Sequence, residues 1–167
     1  KHTSPALAVV VPVHNETENL APLIGEIRAA LASGPAFEIV YVDDGSTDET
    51  LAKLIEIANE TPELRVLRHV NCCGQSAAIH TGVRNAHASL IATLDGDGQN
   101  DPADIPALVE KYNAEGGGER LMIAGLRAKR RDTAIRRLSS RVANGIRSGL
   151  LKDDTPDTGC GLKVFPR

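Results

Sequence analysis

The chain has 167 residues, a formal net charge of −3 and 41% hydrophobic residues, which is sufficient for one globular domain with a sizeable core. It contains no apolar run long enough to span a bilayer and no visible signal peptide, so we expect neither a membrane span nor a secretory leader within these residues. Its three cysteines, Cys72, Cys73 and Cys160, have neither framework nor C-x-x-C spacing, which favours reduced cytosolic thiols over a disulfide scaffold or a zinc motif.

Segments with strand and helix patterns alternate along the chain. The first predicted helix, for example, repeats apolar residues at Leu20, Leu23, Ile24, Ile27 and Leu31. In chain order we predict strand 7–13, helix 18–32, strand 37–42, helix 48–59, strand 65–68, helix 75–86, strand 89–94, helix 102–112, strand 121–125, basic helix 133–151 and strand 161–165. This alternation predicts an α/β fold, with a mainly parallel sheet flanked by helices on both faces.

Asp95 and Asp97 follow the apolar segment 89–94 and are separated by one glycine. If this segment is a buried strand, both carboxylates lie at its carboxyl end, where open α/β sheets bind ligands. Carboxylate oxygens there suit a hard divalent cation that is shared with substrate phosphates. Asp-Gly pairs are also common in turns, but the position after an apolar strand favours an enzyme that handles a diphosphate. Gln99 is a further candidate ligand of the metal or of a water.

Two other strand–helix loops carry polar residues at the same predicted edge. The segment 12–16 lacks the G-x-G-x-x-G phosphate cradle of dinucleotide-binding folds. Its residues Asn15 and Glu16 either lie beside a nucleotide or cap the next helix. In the second loop, Asp43 and Asp44 directly follow a predicted strand. Because a desolvated carboxylate needs hydrogen-bond partners, we predict that Asp43 contacts a base or ribose, and we assign Asp44 to the turn.

A basic window spans residues 127–147, with eight Lys or Arg and one acid, Asp132. The window therefore carries +7 and the rest of the chain −10. Such a run is usually a solvated face, but here its charges lack local acidic partners, which indicates an anionic partner. Nucleic acid is disfavoured because aromatic stacking residues are lacking, and a phosphate acceptor or an anionic membrane surface fits better.

The segment 157–161, Asp-Thr-Gly-Cys-Gly, precedes the last predicted strand. It is either a simple polar turn, or it brings Asp157 into the site as a base or a positioning group. The sequence alone leaves both interpretations open.

The ordered segments that carry these features are 11–16, 42–46, 74–78, 95–99 and 157–161, spread over nearly the whole chain. Together they resemble the family 2 glycosyltransferases of GT-A fold, and most closely the dolichyl-phosphate mannose synthase-like and bacterial polyprenyl-phosphate glycosyltransferase branch. Each segment is a weak signal, whereas the ordered set is a strong one. The resemblance implies a single GT-A (Rossmann-like) catalytic domain over residues 1–167. It also implies transfer of a sugar from a nucleoside-diphosphate sugar to a polyprenyl (dolichyl or undecaprenyl) phosphate.

The resemblance further implies roles for individual residues. The implied catalytic residues are Asp95, Asp97 and Asp157. The implied ligands of Mg²⁺ or Mn²⁺ are Asp97, Asp95 and, as an assisting ligand, Gln99. The nucleotide pocket would be formed by Pro12, Asn15, Glu16, Asp43 and Asp95, with Asp43 near the base. The acceptor phosphate would be held by Arg127, Arg131 and Arg137.

Two positions depart from the family pattern: His14 stands where an aromatic residue is usual, and Cys72 where asparagine is frequent. Members of this branch usually continue into membrane-anchoring helices after the catalytic domain. We therefore expect a catalytic domain that lacks C-terminal membrane helices. It would act at the cytoplasmic side of a membrane, either as a peripheral protein or anchored through a segment absent here.

We expect an inverting transfer, in which a nucleoside diphosphate leaves while the acceptor attacks the anomeric carbon from the opposite side. A lipid phosphate is already ionised near neutral pH, since a second phosphate pKa is about 6, so it needs arginines for orientation but no general base. A sugar hydroxyl would need a base, and Asp157 would then be the best candidate.

Three rival functions remain open. One is a glycosyltransferase of the same fold that acts on a glycan hydroxyl, which has no need of the basic window. Another is a nucleotidyltransferase, which would want a basic, glycine-rich loop where segment 12–16 is acidic. The third is a non-catalytic nucleotide-sugar-binding module, but the presence of both Asp95 and Asp97 argues against it.

Overall fold

The computed structural model describes residues 4–125 and 160–167. These residues contain six strands, four helices and two short 3-10 turns. The strands are β1 (Leu7–Val13), β2 (Phe37–Asp44), β3 (Leu64–His69), β4 (Leu90–Thr93), β5 (Ile123–Ala124) and β6 (Lys163–Pro166). The helices are α1 (Leu20–Leu31), α2 (Thr50–Glu60), α3 (Gln75–Asn85) and α4 (Ile105–Ala114), and the 3-10 turns are Thr17–Asn19 and Pro102–Asp104.

The strands form one sheet in the order β3-β2-β1-β4-β6-β5. Strands β1 to β4 are parallel, whereas β6 runs antiparallel to β4 and β5 antiparallel to β6. The predicted α/β class with a mainly parallel sheet is therefore confirmed. Because β2, β1 and β4 are parallel neighbours, their carboxyl ends meet at one edge of the sheet, and this edge carries the candidate site.

Both faces of the sheet are covered by helices, as predicted. All seven residues of β1 are buried, and alternate residues point to opposite faces. Val9 and Val11 belong to one core cluster, which includes the apolar stripe of α1 and Tyr112 of α4. Val10 belongs to a second cluster that includes Ala78 of α3. A strand buried on both faces explains why segment 7–13 reads as a continuous apolar run.

The element boundaries differ from the predicted ones mainly at the helix starts. The predicted helices 18–32 and 102–112 each begin with a 3-10 turn, and the predicted strand 121–125 is reduced to β5. The predicted basic helix 133–151 lies outside the described residues. Among the helices that the structure describes, none is both long enough and apolar enough to cross a bilayer.

Two helical glycines should respond to alanine in opposite directions. A methyl group on Gly82 in α3 would collide with Val10 and lie 3.1 Å from Val42 Cγ2, because the helix packs closely on the sheet. We expect Gly82→Ala to lower the free energy of unfolding by about 1–3 kcal/mol through overpacking.

Gly25 is exposed in α1, and an added methyl group there meets no atom of the described residues within 4 Å, so it serves as the matched control. Gly25→Ala should raise the free energy of unfolding by roughly 0.5–1 kcal/mol, since alanine favours helix over the unfolded chain. Urea denaturation measures both changes, and a neutral Gly82→Ala would contradict the close packing of α3 on β1.

Candidate active site

A cavity of about 330 Å³ opens at the carboxyl edge of the sheet, and it collects several of the predicted site residues. A larger cavity, of about 820 Å³, lies at the opposite edge, but among its described lining residues the only charged side chain is Glu110. Convergent polar groups distinguish a chemical site from a hydrophobic groove, so we take the smaller cavity as the candidate site. Its wall consists of Pro12, Val13, His14, Glu16, Asp44, Cys72, Gly74, Gln75, Asp95, Gly96 and Asp97.

Asp95 is held in a fixed orientation by two side-chain amides. Gln75 Nε2 donates to Asp95 Oδ1 at 2.7 Å, and Asn100 Nδ2 donates to Asp95 Oδ2 at 3.1 Å. The backbone of Gly161 packs directly against the same carboxylate and leaves no space for a Cβ. Three separate parts of the chain, which contribute Gln75, Asn100 and Gly161, therefore fix the position of the Asp95 carboxylate.

Asp97 is exposed and lies in the turn that follows. Among the described residues it accepts one hydrogen bond, at Oδ1 from the backbone N–H of Gln99 at 3.0 Å, so within this part of the chain the carboxylate keeps lone pairs for a ligand. The Gln99 side chain is exposed and does not belong to the cavity wall, so its assignment as a metal ligand stays a prediction. With Glu16 also in the wall, the cavity offers the oxygen donors that a hard divalent cation prefers.

Asp44, which the sequence analysis assigned to the turn, lines the cavity and carries the densest set of hydrogen bonds in the site. Its Oδ1 accepts from the backbone N–H of Cys73 at 2.9 Å and from His69 Nδ1 at 2.7 Å. Its Oδ2 accepts from the backbone N–H of Gly74 at 2.7 Å and from the Cys72 thiol at 3.4 Å. Burial raises the pKa of this carboxyl, but the hydrogen bonds from Cys73, His69 and Gly74 outweigh it and lower the pKa to about 2.

This low pKa makes the stability of the fold depend on pH in the acid range. Because the pKa of Asp44 is about 2 in the folded chain and 3.8 for a free side chain, ionised Asp44 stabilises the fold fully above about pH 4. The contribution, about 2 kcal/mol, is lost as the pH falls through about 2. Urea denaturation should show that the difference in free energy of unfolding between the native and Asp44→Asn chains becomes smaller over this pH range. A difference that stays constant with pH would contradict the low pKa of Asp44. Asp104→Asn, which changes an exposed carboxylate, is the control and should unfold with the same free energy as the native chain.

Asp43, for which the sequence predicts contact with a base or ribose, lies at the end of β2. It is fully buried, its Oδ1 accepts from the backbone N–H of Ser46 at 3.2 Å, and it does not belong to the cavity wall. Asp43 thus stabilises the turn, whereas Asp44 faces the cavity. Asp43 Oδ2 is buried and has no hydrogen-bond partner among the described residues. The predicted contact of Asp43 with a base stays a prediction.

The loop after β1 is tied to the loop after β2. Asn15 has a positive φ of 57°, its Oδ1 accepts from the backbone N–H of Thr47 at 2.8 Å, and its own N–H donates to Ser46 Oγ at 2.9 Å. Asn15 is absent from the cavity wall that the structure describes, so its visible role is to hold the two loops together. His14 Nδ1 donates to the backbone carbonyl of Asp44 at 2.9 Å and joins the same pair of loops.

Four of the predicted site residues lie outside the described residues: Arg127, Arg131, Arg137 and Asp157. The end of the 157–161 segment is described, and it reaches the site. Thr93 Oγ1 donates to the carbonyl of Gly161 at 2.7 Å, and the Cys160 thiol donates to Asn100 Oδ1 at 3.4 Å. Since Asn100 donates a hydrogen bond to Asp95, the Cys160 contact helps to hold the Asp95 carboxylate in place.

The fold and the site together define a GT-A domain with an acidic ligand-binding edge. The chain matches the model of Glycosyl transferase family 2 over residues 8–167, and it belongs to this family. A dodecaprenyl-phosphate galacturonate synthase from Rhizobium johnstonii is 37% identical over 162 residues, covering 95% of this chain and 47% of the relative. An undecaprenyl-phosphate 4-deoxy-4-formamido-L-arabinose transferase from Pseudomonas aeruginosa is 39% identical over 164 residues, covering 96% of this chain and 47% of the relative.

The chain therefore spans about half the length of these two relatives. Among solved structures, the mannosyltransferase PcManGT from Pyrobaculum calidifontis, in complex with GDP-Man and Mn²⁺, is similar with a TM-score of 0.64 and 24% identity. The match covers 99% of this chain and 46% of that chain, and it shows that the fold is the same.

Proposed function

We propose that residues 1–167 form a single catalytic domain of an inverting, metal-dependent glycosyltransferase, which moves a sugar from a nucleoside-diphosphate sugar to a polyprenyl phosphate. The observation that carries this proposal is the convergence of Asp95, Asp97 and Glu16 on one cavity at the carboxyl edge of the sheet. Two relatives with at least 37% identity are named for products or acceptors of the polyprenyl-phosphate class, which supports the choice of acceptor.

The donor would occupy the 330 Å³ cavity, with its nucleoside toward Pro12 and Asp44 and its diphosphate toward Asp95 and Asp97. Asp44 is ionised at neutral pH, and its lone pairs already receive four donors. It therefore shapes this wall by fixing the loop 72–74. The contact of Asp43 with the base stays a prediction, since Asp43 is fully buried and lies outside the cavity wall that the described residues form.

The metal would be Mg²⁺ or Mn²⁺, held by Asp97 and Asp95, with Gln99 as an assisting ligand. When bound, such an ion neutralises the charge on the departing diphosphate. Two observations support the assignment: the oxygen donors of this cavity suit a hard cation, and the similar mannosyltransferase was solved with Mn²⁺. Gln75 and Asn100 keep the Asp95 carboxylate in one orientation for this task.

The acceptor phosphate would be bound by Arg127, Arg131 and Arg137, in the basic window. An ionised phosphate needs to be oriented but not deprotonated, so Asp157 would position groups rather than act as a base. The same positive charge would hold the domain against the anionic cytoplasmic surface of a membrane, where a polyprenyl phosphate resides. Nucleic acid is not a proposed partner.

Asp157→Asn separates the two possible acceptors. If the acceptor is a lipid phosphate, this change should reduce kcat by less than about tenfold, because no proton has to be removed. A loss of about 10²–10⁴-fold in kcat with an unchanged KM for the acceptor would instead indicate a base that serves a sugar hydroxyl. Steady-state transfer rates with purified Asp157→Asn and native chains decide between these results.

The proposed function is tested by supplying detergent-dispersed undecaprenyl phosphate, Mn²⁺ and a panel of nucleoside-diphosphate sugars. We expect one donor to yield a glycosyl phospholipid, and chelation of divalent ions to stop its formation. Sugar transfer to a glycan or to water without any lipid product would contradict the proposed acceptor. Saturable donor binding without any turnover would indicate a binding module instead of an enzyme.

A further inference from the structure

A second group of metal-ligand atoms lies beside the carboxylates of the candidate site and has a different chemistry. A carboxylate oxygen of Asp44, a ring nitrogen of His69 and the sulfur of Cys73 all lie within 4.8 Å of one another. We propose that these three side chains form a binding site for a thiophilic divalent cation of the Zn²⁺ class at the wall of the donor cavity.

The spacing of the three ligand atoms requires only a small rearrangement for Zn²⁺. His69 Nδ1 lies 2.7 Å from Asp44 Oδ1, so the imidazole N–H now donates a hydrogen bond to the carboxylate. With Zn–N and Zn–O bonds of about 2.0–2.2 Å at a tetrahedral centre, these atoms would separate to roughly 3.3 Å. Cys73 is exposed, and among the described residues its thiol donates one hydrogen bond, to the backbone carbonyl of Asn71 at 3.3 Å, which a rotation of the side chain toward the ion would replace.

The surrounding contacts hold these ligands together before any ion binds. His69 Nε2 lies 2.9 Å from Thr81 Oγ1, and this hydroxyl would accept a hydrogen bond from Nε2–H when Nδ1 coordinates the ion. The backbone N–H groups of Cys73 and Gly74 donate to Asp44, which fixes the thiol-bearing loop to the same carboxylate. The imidazole, the carboxylate and the loop are therefore ordered by bonds that survive metal binding.

The donor set selects the class of metal. One thiolate, one imidazole and one carboxylate suit Zn²⁺ or Co²⁺, whereas Mg²⁺ prefers six oxygen ligands and belongs at Asp95 and Asp97. Coordination releases one proton overall, from the Cys73 thiol to solvent. The proton that leaves His69 Nδ1 is replaced by one that solvent supplies at Nε2, so His69 coordinates as neutral imidazole. Three protein ligands leave a fourth tetrahedral position, which a water would fill.

An ion at this site would interfere with donor binding, a consequence that rests on the proposed function. Asp44, Cys72 and Gly74 line the donor cavity, and Cys73 lies between the last two in the chain. Zn²⁺ and its water would therefore occupy the space that the nucleoside needs. We expect micromolar Zn²⁺ to lower the affinity for a nucleoside diphosphate in Mg²⁺ by at least about tenfold, as a competitor at a shared site would.

The metal site is tested with Co²⁺ as a spectroscopic probe, in excess Mg²⁺ to occupy the carboxylates and with a non-thiol reductant. We expect a thiolate-to-cobalt charge-transfer band in the near ultraviolet and intense tetrahedral bands in the visible range, both removed by one equivalent of Zn²⁺. Cys73→Ser and His69→Gln should abolish the charge-transfer band or weaken Co²⁺ binding at least about tenfold.

Two neighbouring substitutions serve as matched controls. Cys72→Ser removes the adjacent thiol, and His80→Gln removes an exposed imidazole on the same helix as Thr81, so both should keep the band. Cobalt spectra without a thiolate band, or a band that persists in Cys73→Ser, would overturn the site. Failure of nucleotides to bind in Mg²⁺ alone, with the band intact, would contradict the proposed function and leave the metal site standing.

Discussion

Replacing Asp97 by asparagine should lower the rate of sugar transfer by about 10²–10³-fold, because it removes the charge that binds the cation and several kcal/mol of transition-state stabilisation. The fold should be unaffected. Asp97 is exposed, and among the described residues its side chain accepts one hydrogen bond, from Gln99 N–H, which an asparagine oxygen can also accept. We therefore expect a change in the free energy of unfolding within about 0.5 kcal/mol.

Asp104→Asn is the matched control, since it removes an exposed carboxylate from the same acidic stretch but outside the cavity wall. It should retain transfer within about twofold, as surface substitutions away from a site usually do. Initial rates over a range of Mn²⁺ concentrations measure both variants. Transfer by Asp97→Asn at a rate close to that of Asp104→Asn would contradict the assignment of Asp97 as a metal ligand.

Gly161→Ala should lower transfer by about 10²-fold, although residue 161 has no side-chain chemistry. Its new methyl group would occupy the position of the Asp95 carboxylate and force that side chain away from Gln75 and Asn100. Because only the end of one side chain has to move, the free energy of unfolding should fall by no more than about 1–2 kcal/mol.

The matched control is Gly118→Ala, because a methyl group added there meets no atom within 4 Å in the part of the chain that the structure describes. Gln75→Ala gives an intermediate case, since it removes one of the two amide donors of Asp95 and leaves the other in place. The expected order of transfer rates is Gly118→Ala, then Gln75→Ala, then Gly161→Ala. Equal rates for the two glycine variants would show that the orientation of Asp95 does not matter for transfer.

Local patterns in the sequence were sufficient to predict most of the fold. Segment 7–13 is apolar throughout because β1 is buried on both faces, and it matches the observed strand at both ends. The place of β6 was not predictable in this way. It pairs antiparallel with β4, Ile91 opposite Phe165, and lies between β4 and β5 rather than at an edge. Pairings between residues so distant in sequence leave no local signal.

Some residues of the candidate site were likewise predictable from local sequence, and others were not. Asp95 and Asp97 were predictable because they directly follow a buried strand, and the edge they share with β1 and β2 follows from the parallel sheet. The position of Asp44 in the cavity wall was not predictable, because it depends on the distant residues Cys73 and Gly74, whose N–H groups bind Asp44.

The residues that sequence reasoning missed act through long-range contacts. Gln75 and Gly161 reach Asp95 from 20 and 66 positions away in the chain. Asn100 lies closer, but its polarity fitted the start of a helix equally well. The cysteine spacing argued against a zinc motif, yet His69 and Asp44 come to Cys73 from the ends of two neighbouring strands. Ligands assembled by the sheet leave no motif in the sequence.

The central claim is that this cavity binds a nucleoside diphosphate together with a divalent cation on Asp95 and Asp97. Calorimetric titration of GDP and UDP into the native chain, in Mn²⁺ and then in excess chelator, tests it most directly. At least one nucleotide should bind in Mn²⁺, and its affinity should fall at least about tenfold both in chelator and in Asp97→Asn. An affinity that is the same in Mn²⁺, in chelator and in Asp97→Asn would contradict the account.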